Sequence, residues 1–407
     1  MRPDEALAWL DAHVDLEATG APPGRPAAPT LDRIRELVAL LGSPERSYPA
    51  VHLTGTNGKT SVARMVTTLL AGAGLSVGSY TSPHLARVNE RMAWNGEPVD
   101  DESLAELLTT VALVEEHLPA RPSYFEILTA AALSWFADVA VDVAVVEVGL
   151  GGTWDATNVV HGEVAVVTNV SVDHVEYLGP TRAQIATEKA GIVEPGSTLV
   201  LGETDPALVP LFLDRGPARV LARGLDFGVR ANRPAHGGRL VDLHTPGGEY
   251  PGVYLPLHGA HQGDNAAAAL AAAEAFLGRP LDPDHVAGAF RAVRSPGRLE
   301  VVGHQPLLLL DGAHNVAGAR ALVTALAEEF PDAPGPSSWG SCGRRSPTRC
   351  SRRWTPARPP GSSAAGPRAP GPSTRPPWPR PPSSSGWSWT GSRSWTGSRR
   401  RWPGRSP

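Results

Sequence analysis

Cysteine is missing from the first 341 of the 407 residues; the two present are Cys342 and Cys350. Disulfides and thiolate-bound metal are thereby excluded from all but the tail. Long apolar runs are missing too. The longest, such as Val139–Val148, are interrupted by Asp142 and Glu147, and none reaches the ~20 apolar residues that a membrane-crossing helix needs. The first ten residues carry Asp4 and Glu5, where a secretory leader would carry basic residues and then an apolar stretch. These absences lead us to expect a cytoplasmic enzyme or binding protein with no membrane partner.

Residues 334–407 lack Asp, Glu and Lys but hold 14 Arg. The overall charge of −4 therefore averages two unlike parts: residues 1–333 carry 41 acids against 23 bases, a net of −18. An acidic body argues against a nucleic-acid surface. The tail also lacks Val, Ile, Leu, Phe, Tyr, Met and Asn, while holding seven of the eleven Trp. Such a composition cannot bury enough apolar surface to offset its ordering entropy. Two readings are open: a disordered basic tail that binds anions, and a change of reading frame in a GC-rich gene. The abrupt loss of core residue types in mid-domain favours the second.

Elsewhere the chain has what a globular protein needs, with 41% hydrophobic and 19% charged residues. Strand-like runs at Ala50–Leu53, Leu75–Tyr80, Val141–Val148, Val164–Val170 and Thr198–Leu201 alternate with helical stretches at Lys59–Ala73, Glu102–His117, Tyr124–Ala137 and Thr181–Ala190. That alternation predicts an α/β fold with a mostly parallel sheet. Gly-rich, β-like pieces over Leu221–Leu257 predict a small antiparallel subsheet. The Ala-rich stretch Asn265–Phe276 predicts a helix. Leu299–Val302, Leu307–Leu310 and Val316–Phe330 restart a strand, strand, helix pattern. Ser295-Pro296-Gly297 between them marks a domain boundary. The expected domains are 1–296, 297–333 as the start of a C-terminal domain, and the tail 334–407.

The strongest chemical signal is Thr54-Gly55-Thr56-Asn57-Gly58-Lys59-Thr60-Ser61, which follows an apolar strand and opens a helix. Glycines let backbone N–H groups approach phosphate, and a helix N-terminus favours negative charge. Lys59 would reach the β- and γ-phosphates, with the hydroxyls of Thr60 and Ser61 near phosphate or metal. The common phosphate loop has a further Gly where this chain has Leu53. Glu147, at the end of the Val141–Val148 strand, is a candidate Mg²⁺ ligand or a solvated strand-end acid. Asp173 and His174 follow the next strand. Asp173 suits a helix cap; His174 suits a metal ligand, a base or a satisfied polar residue. Lys189 reads as a helix-end lysine or as one turned toward phosphate. Asn265, Arg298 and Asp311-Gly312-Ala313-His314-Asn315 lie near the proposed boundary; alone they would be a cap and a turn.

Taken in order, these residues resemble the folylpolyglutamate synthase/dihydrofolate synthase group of the Mur ligase superfamily, over roughly Leu31–Phe330. The resemblance rests on Gly55–Lys59, Tyr80-Thr81-Ser82-Pro83-His84-Leu85, Phe125–Thr129, Glu147–Gly152 with Asp155-Ala156-Thr157-Asn158, Asn169–Gly179, Glu188–Ile192, His261-Gln262 with Asn265, Pro296–Glu300 and Asp311–Asn315. It implies a P-loop central domain of Mur-ligase type and an incomplete Rossmann-like C-terminal domain. It implies ATP held by Gly55, Thr56, Asn57, Gly58, Lys59, Thr60 and Ser61, with Asn265, Arg298, Asp311 and His314 also reaching the nucleotide. Ser82, Glu147 and His174 would be Mg²⁺ ligands, and Lys189 the lysine that is carbamylated in this family. The loop Ser82–Arg91 would help hold a pterin. Lys59, Lys189 and His174 are the catalytic candidates.

The implied reaction is attack of a folate or dihydropteroate carboxylate on the γ-phosphate of ATP, giving an acyl phosphate that the amine of L-glutamate displaces. The enzyme is expected to be a monomer. The chain departs from the family at Gly152-Thr153-Trp154, where an Arg-Leu pair usually precedes Asp155, and after about Phe330 the match stops. Two other readings stay open: an inactive nucleotide-binding remnant, and a cell-wall Mur ligase. Against the latter stand the Tyr80–Leu85 pattern and the lack of a sizeable domain before the phosphate loop.

Overall fold

The computed structural model describes residues 1–15, 30–305 and 307–331; the expectations for the tail lie outside them. The strands are β1 (Ala50–Thr54), β2 (Val77–Tyr80), β3 (Met92–Trp94), β4 (Glu97–Pro98), β5 (Val143–Glu147), β6 (Gly162–Val167), β7 (Thr198–Leu201), β8 (Arg219–Ala222), β9 (Gly228–Ala235), β10 (Gly238–Thr245), β11 (Gly248–Leu255), β12 (Glu300–His304) and β13 (Leu307–Leu310). The α-helices are α1 (Pro3–Asp11), α2 (Asp32–Leu40), α3 (Lys59–Gly72), α4 (Asp101–Glu115), α5 (Tyr124–Asp138), α6 (Val175–Leu178), α7 (Arg182–Lys189), α8 (Val209–Leu213), α9 (His261–Leu277), α10 (Pro283–Ala292) and α11 (Val316–Glu329).

The first eight strands form one sheet in the order β4-β3-β2-β5-β1-β6-β7-β8. From β2 to β8 every pairing is parallel, and the β3–β4 hairpin adds an antiparallel edge. β1 and β5 are buried along their whole length, as apolar strands in a sheet covered on both faces must be. Their side chains alternate between two cores. Val51, Leu53, Val143 and Val145 pack with α3, α9 and α10, whereas Ala50, Ala144 and Val146 pack with α1, α2, α4 and α5. The buried run Ala266–Ala273, all alanine except Leu270, lets α9 lie close against α3.

The antiparallel subsheet β11-β10-β9 covers the outer side of α9 through Val241, Leu243 and Tyr250. Leu221, read from sequence as its beginning, instead sits in β8, the parallel edge of the main sheet. The hairpin β12–β13 and α11 follow. The far end of α11 is tied to the subsheet by the buried Arg239, whose guanidinium bonds the carboxylates of Glu328 and Glu329 at 3.0 and 2.5 Å.

The strand order reverses about β1: the chain goes from β1 to one side for β2 and β5, then crosses to the other side for β6 and β7. Ligands of open α/β sheets bind outside the C-terminal strand ends at such a reversal. Among the described residues no helix is long and apolar enough to cross a membrane.

Candidate active site

The phosphate loop leaves β1 at Thr54, whose hydroxyl is held by the Gly151 carbonyl at 2.8 Å. Gly55 must be glycine, since a Cβ there would stand 1.8 Å from Thr168 Oγ1. Gly58 caps α3 in the left-handed region, at φ +85°, and its Cβ position lies 2.6 Å from Asn265 Oδ1. The loop is pinned from the end of β6. Thr168 Oγ1 and Asn169 Nδ2 donate to the Asn57 carbonyl at 2.7 and 2.8 Å, Asn57 N–H donates to Asn169 Oδ1 at 3.1 Å, and Ser171 N–H donates to Thr56 Oγ1 at 2.9 Å.

Two lysines converge on one carbonyl. Lys59 Nζ donates to Gly55 O at 3.1 Å and Lys189 Nζ to the same oxygen at 2.9 Å. Lys189 is buried at the end of α7. Burial first, and the neighbouring Lys59 charge second, push its pKa down to about 7, against the pull of Asp173, Asp155 and Glu188. A pair of ammonium groups on a single neutral acceptor is a place built for an anion.

Glu147 lies across the loop at the end of β5 and is fully buried. Thr60 Oγ1 donates to its Oε1 at 2.9 Å, and the Ser82 N–H lies 3.4 Å from Oε2. Burial raises its pKa, opposed by Lys59, Thr60 and Arg298. Arg298 thus faces the same acid, and so does Arg64 of α3, which sequence reasoning missed. The donor chemistry here is hard oxygen, from carboxylate and hydroxyl, which fits Mg²⁺ held beside phosphate.

His174 falls on the other side of the loop. It adopts φ +47° at the start of α6. Its ring groups with Asp173 and His314, one ligand atom of each lying within 4.8 Å of the others. His314 Nε2 donates to Asp173 Oδ2 at 3.1 Å. Burial works against the Asp173 carboxylate, but the hydrogen bond from His314, the His174 ring and the Asn315 amide outweigh it and hold its pKa below the usual range. Two imidazoles and one carboxylate are a softer set than that around Glu147.

Asn315, quoted in the sequence motif but given no role, bridges the two parts. Its Nδ2 donates to Asn57 Oδ1 at 3.0 Å and Asp173 Oδ2 at 2.9 Å, while its Oδ1 caps α11 through Gly318 N–H at 2.8 Å. Asp311 serves its own turn, accepting from the Leu299 and Ala313 N–H groups at 2.9 and 2.8 Å. Ser61 bonds Ser295 at 3.2 Å. Asn265 donates to Gln262 at 2.9 Å, and both, with His261, lie in the first turns of α9 rather than before it. Asp155 also escaped the sequence reading as an organiser. Buried, it accepts from the Leu150 and Thr157 N–H groups at 2.8 and 2.9 Å and so holds the loop after Glu147.

In the loop Ser82–Arg91, Glu90 accepts three backbone N–H groups, from Leu85, Ala86 and Arg87, and the buried Arg91 donates to His84 Nδ1 at 2.9 Å. A separate cavity of about 340 Å³, lined by His161, Pro195 and Phe276 among others, opens at the N-terminal ends of β6 and β7 and shares no residue with this site.

Residues 53–273 match the model of the Mur ligase middle domain. The chain is 46% identical over 326 residues to the dihydrofolate synthase/folylpolyglutamate synthase of Mycobacterium tuberculosis, a match spanning 74% of this chain and 67% of that protein. It is 36% identical over 309 residues to the folylpolyglutamate synthase of Lacticaseibacillus casei, spanning 73% and 72%. Among solved structures, the Mycobacterium tuberculosis folylpolyglutamate synthase complexed with ADP and AMPPCP superposes with a TM-score of 0.71 at 46% identity, covering 74% of this chain and 71% of that one. A folylpolyglutamate synthase–AMPPCP–folate complex gives 0.74 at 34% identity, covering 80% of each.

Proposed function

The chain belongs to the folylpolyglutamate synthase/dihydrofolate synthase family of Mur-type, ATP-dependent ligases that form C–N bonds, and from this we propose that it adds L-glutamate to a folate-type carboxylate through an acyl phosphate. The observation that carries the reading is the convergence of Lys59 and Lys189 on the Gly55 carbonyl, at the N-terminus of α3 and opposite the buried Glu147.

A carboxylate is a poor electrophile, and its conversion to an acyl phosphate makes it a good one. The loop Gly55–Ser61 supports the phosphates with its backbone and the α3 N-terminus. Lys59 sits where charge spreads over the transferring phosphoryl oxygens and stabilises it there. In this proposal Ser82 and Glu147 on one side of the loop and His174 on the other would hold Mg²⁺ between them, and Lys189, carbamylated, would change from cation to anion beside them. Bound there, Mg²⁺ would neutralise phosphate charge. Asn265, Arg298, Asp311 and His314 are assigned to the nucleotide, and the loop Ser82–Arg91 to the pterin. We divide the chain into an ATP-binding domain, 1–296, and the start of a glutamate-side domain at 297. The working state is taken as a cytoplasmic monomer, which light scattering tests for size.

The deciding assay follows phosphate release by the full chain with Mg²⁺-ATP, and incorporation of labelled glutamate. Release that needs both glutamate and dihydropteroate or a folate supports the proposal. Release that ignores either acceptor, or label that never enters a pterin product, overturns it.

A further inference from the structure

The hairpin of β12 and β13 and the helix after it leave an apolar face in the open. β13 is four consecutive leucines, yet Leu307, Leu308 and Leu310 are 37%, 52% and 52% exposed, and Val302, Val316 and Val323 are each near half exposed. An unbroken apolar strand is the pattern of a strand covered on both faces, and an uncovered two-stranded hairpin is marginal in water. After a strand and a helix, the next parallel strand usually lies beside the first and covers such side chains. From Pro334 onward the chain has none of the aliphatic residues that could do so.

We infer that residues from about Ser337 onward are the remainder of this domain translated one nucleotide out of step, and that the same nucleotides read one position earlier encode the strand and helix that cover β13 and α11. The genetic code carries the argument. Tryptophan has one codon, TGG. In the earlier frame its first two bases close a codon ending in TG, which is Leu, Val or Met whatever precedes it. Cysteine, TGC or TGT, converts in the same way. Serine of the TCN type gives a codon ending in TC, which is Phe, Leu, Ile or Val. Proline, and arginine of the CGN type, give Ala, Ser, Thr or Pro; threonine gives Asp, Asn, His or Tyr. The residues that crowd this tail are thus those that hide an ordinary globular composition.

The order fits as well as the composition. With its serines of the TCN type, Ser337-Ser338-Trp339-Gly340-Ser341-Cys342 becomes three apolar residues, one Gly, Arg or Trp, and two more apolar residues, the run of a buried parallel strand. Ser346, Cys350, Ser351 and Trp354 then turn apolar at i, i+4, i+5 and i+8, one face of an amphipathic helix. A strand followed by a helix is what a Rossmann-like domain requires after α11. A stop in the earlier frame needs a T followed by a codon beginning AA, AG or GA. The tail has no Asn, Lys, Asp or Glu, which leaves only serine of the AGY type and arginine of the AGA or AGG type to create one. Reading one position later instead turns every tryptophan into glycine. A single lost nucleotide between the codons for Ala333 and Ser337 produces this arrangement.

The test begins with the nucleotide sequence of the gene and its transcript, followed by expression of two chains: the present one, and one with a single nucleotide restored before the codon for Ser337. The inference expects an open frame through the codon for Trp354 with apolar residues at the named positions. The restored chain should melt several degrees higher and bind far less of a hydrophobic dye. Stop codons before Trp354 in the earlier frame would overturn it, as would a restored chain with unchanged melting and dye binding. ADP binding to the present chain is measured alongside. Because the phosphate loop lies in the first domain, its result bears on the ligase reading and leaves this inference standing or falling on its own.

Discussion

Replacing Gly58 by alanine probes how the phosphate loop is fitted against α9. Gly58 has φ +85° at the start of α3, and a side chain held in that left-handed region costs ~1–2 kcal/mol. The new Cβ would also stand 2.6 Å from Asn265 Oδ1. Asn265 is buried and donates to Gln262 at 2.9 Å, so it turns away only by giving up a hydrogen bond worth ~0.5–1.5 kcal/mol net. The two losses sum to about 1.5–3.5 kcal/mol. At ~2–4 °C per kcal/mol for a body of this size, Tm should fall by roughly 3–14 °C. ADP affinity, read by calorimetry, should fall as well, because the intruding methyl sits on the turn that supports phosphate. Asn265→Ala supplies the control. In that background the steric conflict is gone and Gly58→Ala should cost only its backbone part, a coupling of ~1 kcal/mol. Equal costs in the two backgrounds, or a Gly58→Ala protein that melts with the parent, would refute the reasoning.

Two further outcomes follow from the lysine pair and the Asn315 bridge. Lys189 has its pKa pushed to about 7 by burial and by Lys59, and only a neutral amine captures CO₂. The carbamate signal from carbon-13 bicarbonate should therefore grow as pH rises through roughly 6 to 8 and vanish in Lys189→Arg; a signal flat across that range contradicts the assignment. Asn315→Ala removes both the α11 cap and the tie to Asn57 and Asp173, costing ~1 kcal/mol for the cap alone. Asn315→Ser keeps a capping oxygen but offers no amide to Asn57, so it should recover stability without recovering the KM for ATP. Full recovery of both would reduce Asn315 to a helix cap.

Much of the fold could be read from the chain because its signals are local. The run from Ala50 to Lys59 shows an apolar strand, glycines and a lysine in one stretch, and the structure places them as strand, loop and helix. Val143–Val146 and Val164–Val167 are apolar without alternation because both faces of the sheet are covered. What escaped were features set by contacts between distant segments. The pairing of Thr60 with Glu147 spans 87 residues, and that of Asn57 with Asn315 spans 258; neither leaves a mark on local pattern. Other misses had a visible cue. Asn95-Gly96, with φ +51° and +88°, is the turn signature of the β3–β4 hairpin, and Asp282 followed by Pro283 announces α10. The Ala-rich pattern places the start of α9 at Asn265, four residues late, because its first turn is polar, His261-Gln262-Gly263-Asp264, and carries site residues in place of core residues.

The central claim is that ATP activates a carboxylate held against Lys59 by moving phosphate onto it. Oxygen-18 placed in the carboxylate of the acceptor tests it most directly. The account predicts that one labelled oxygen leaves with the released phosphate, in step with amide formation. Phosphate free of label while product forms would contradict it.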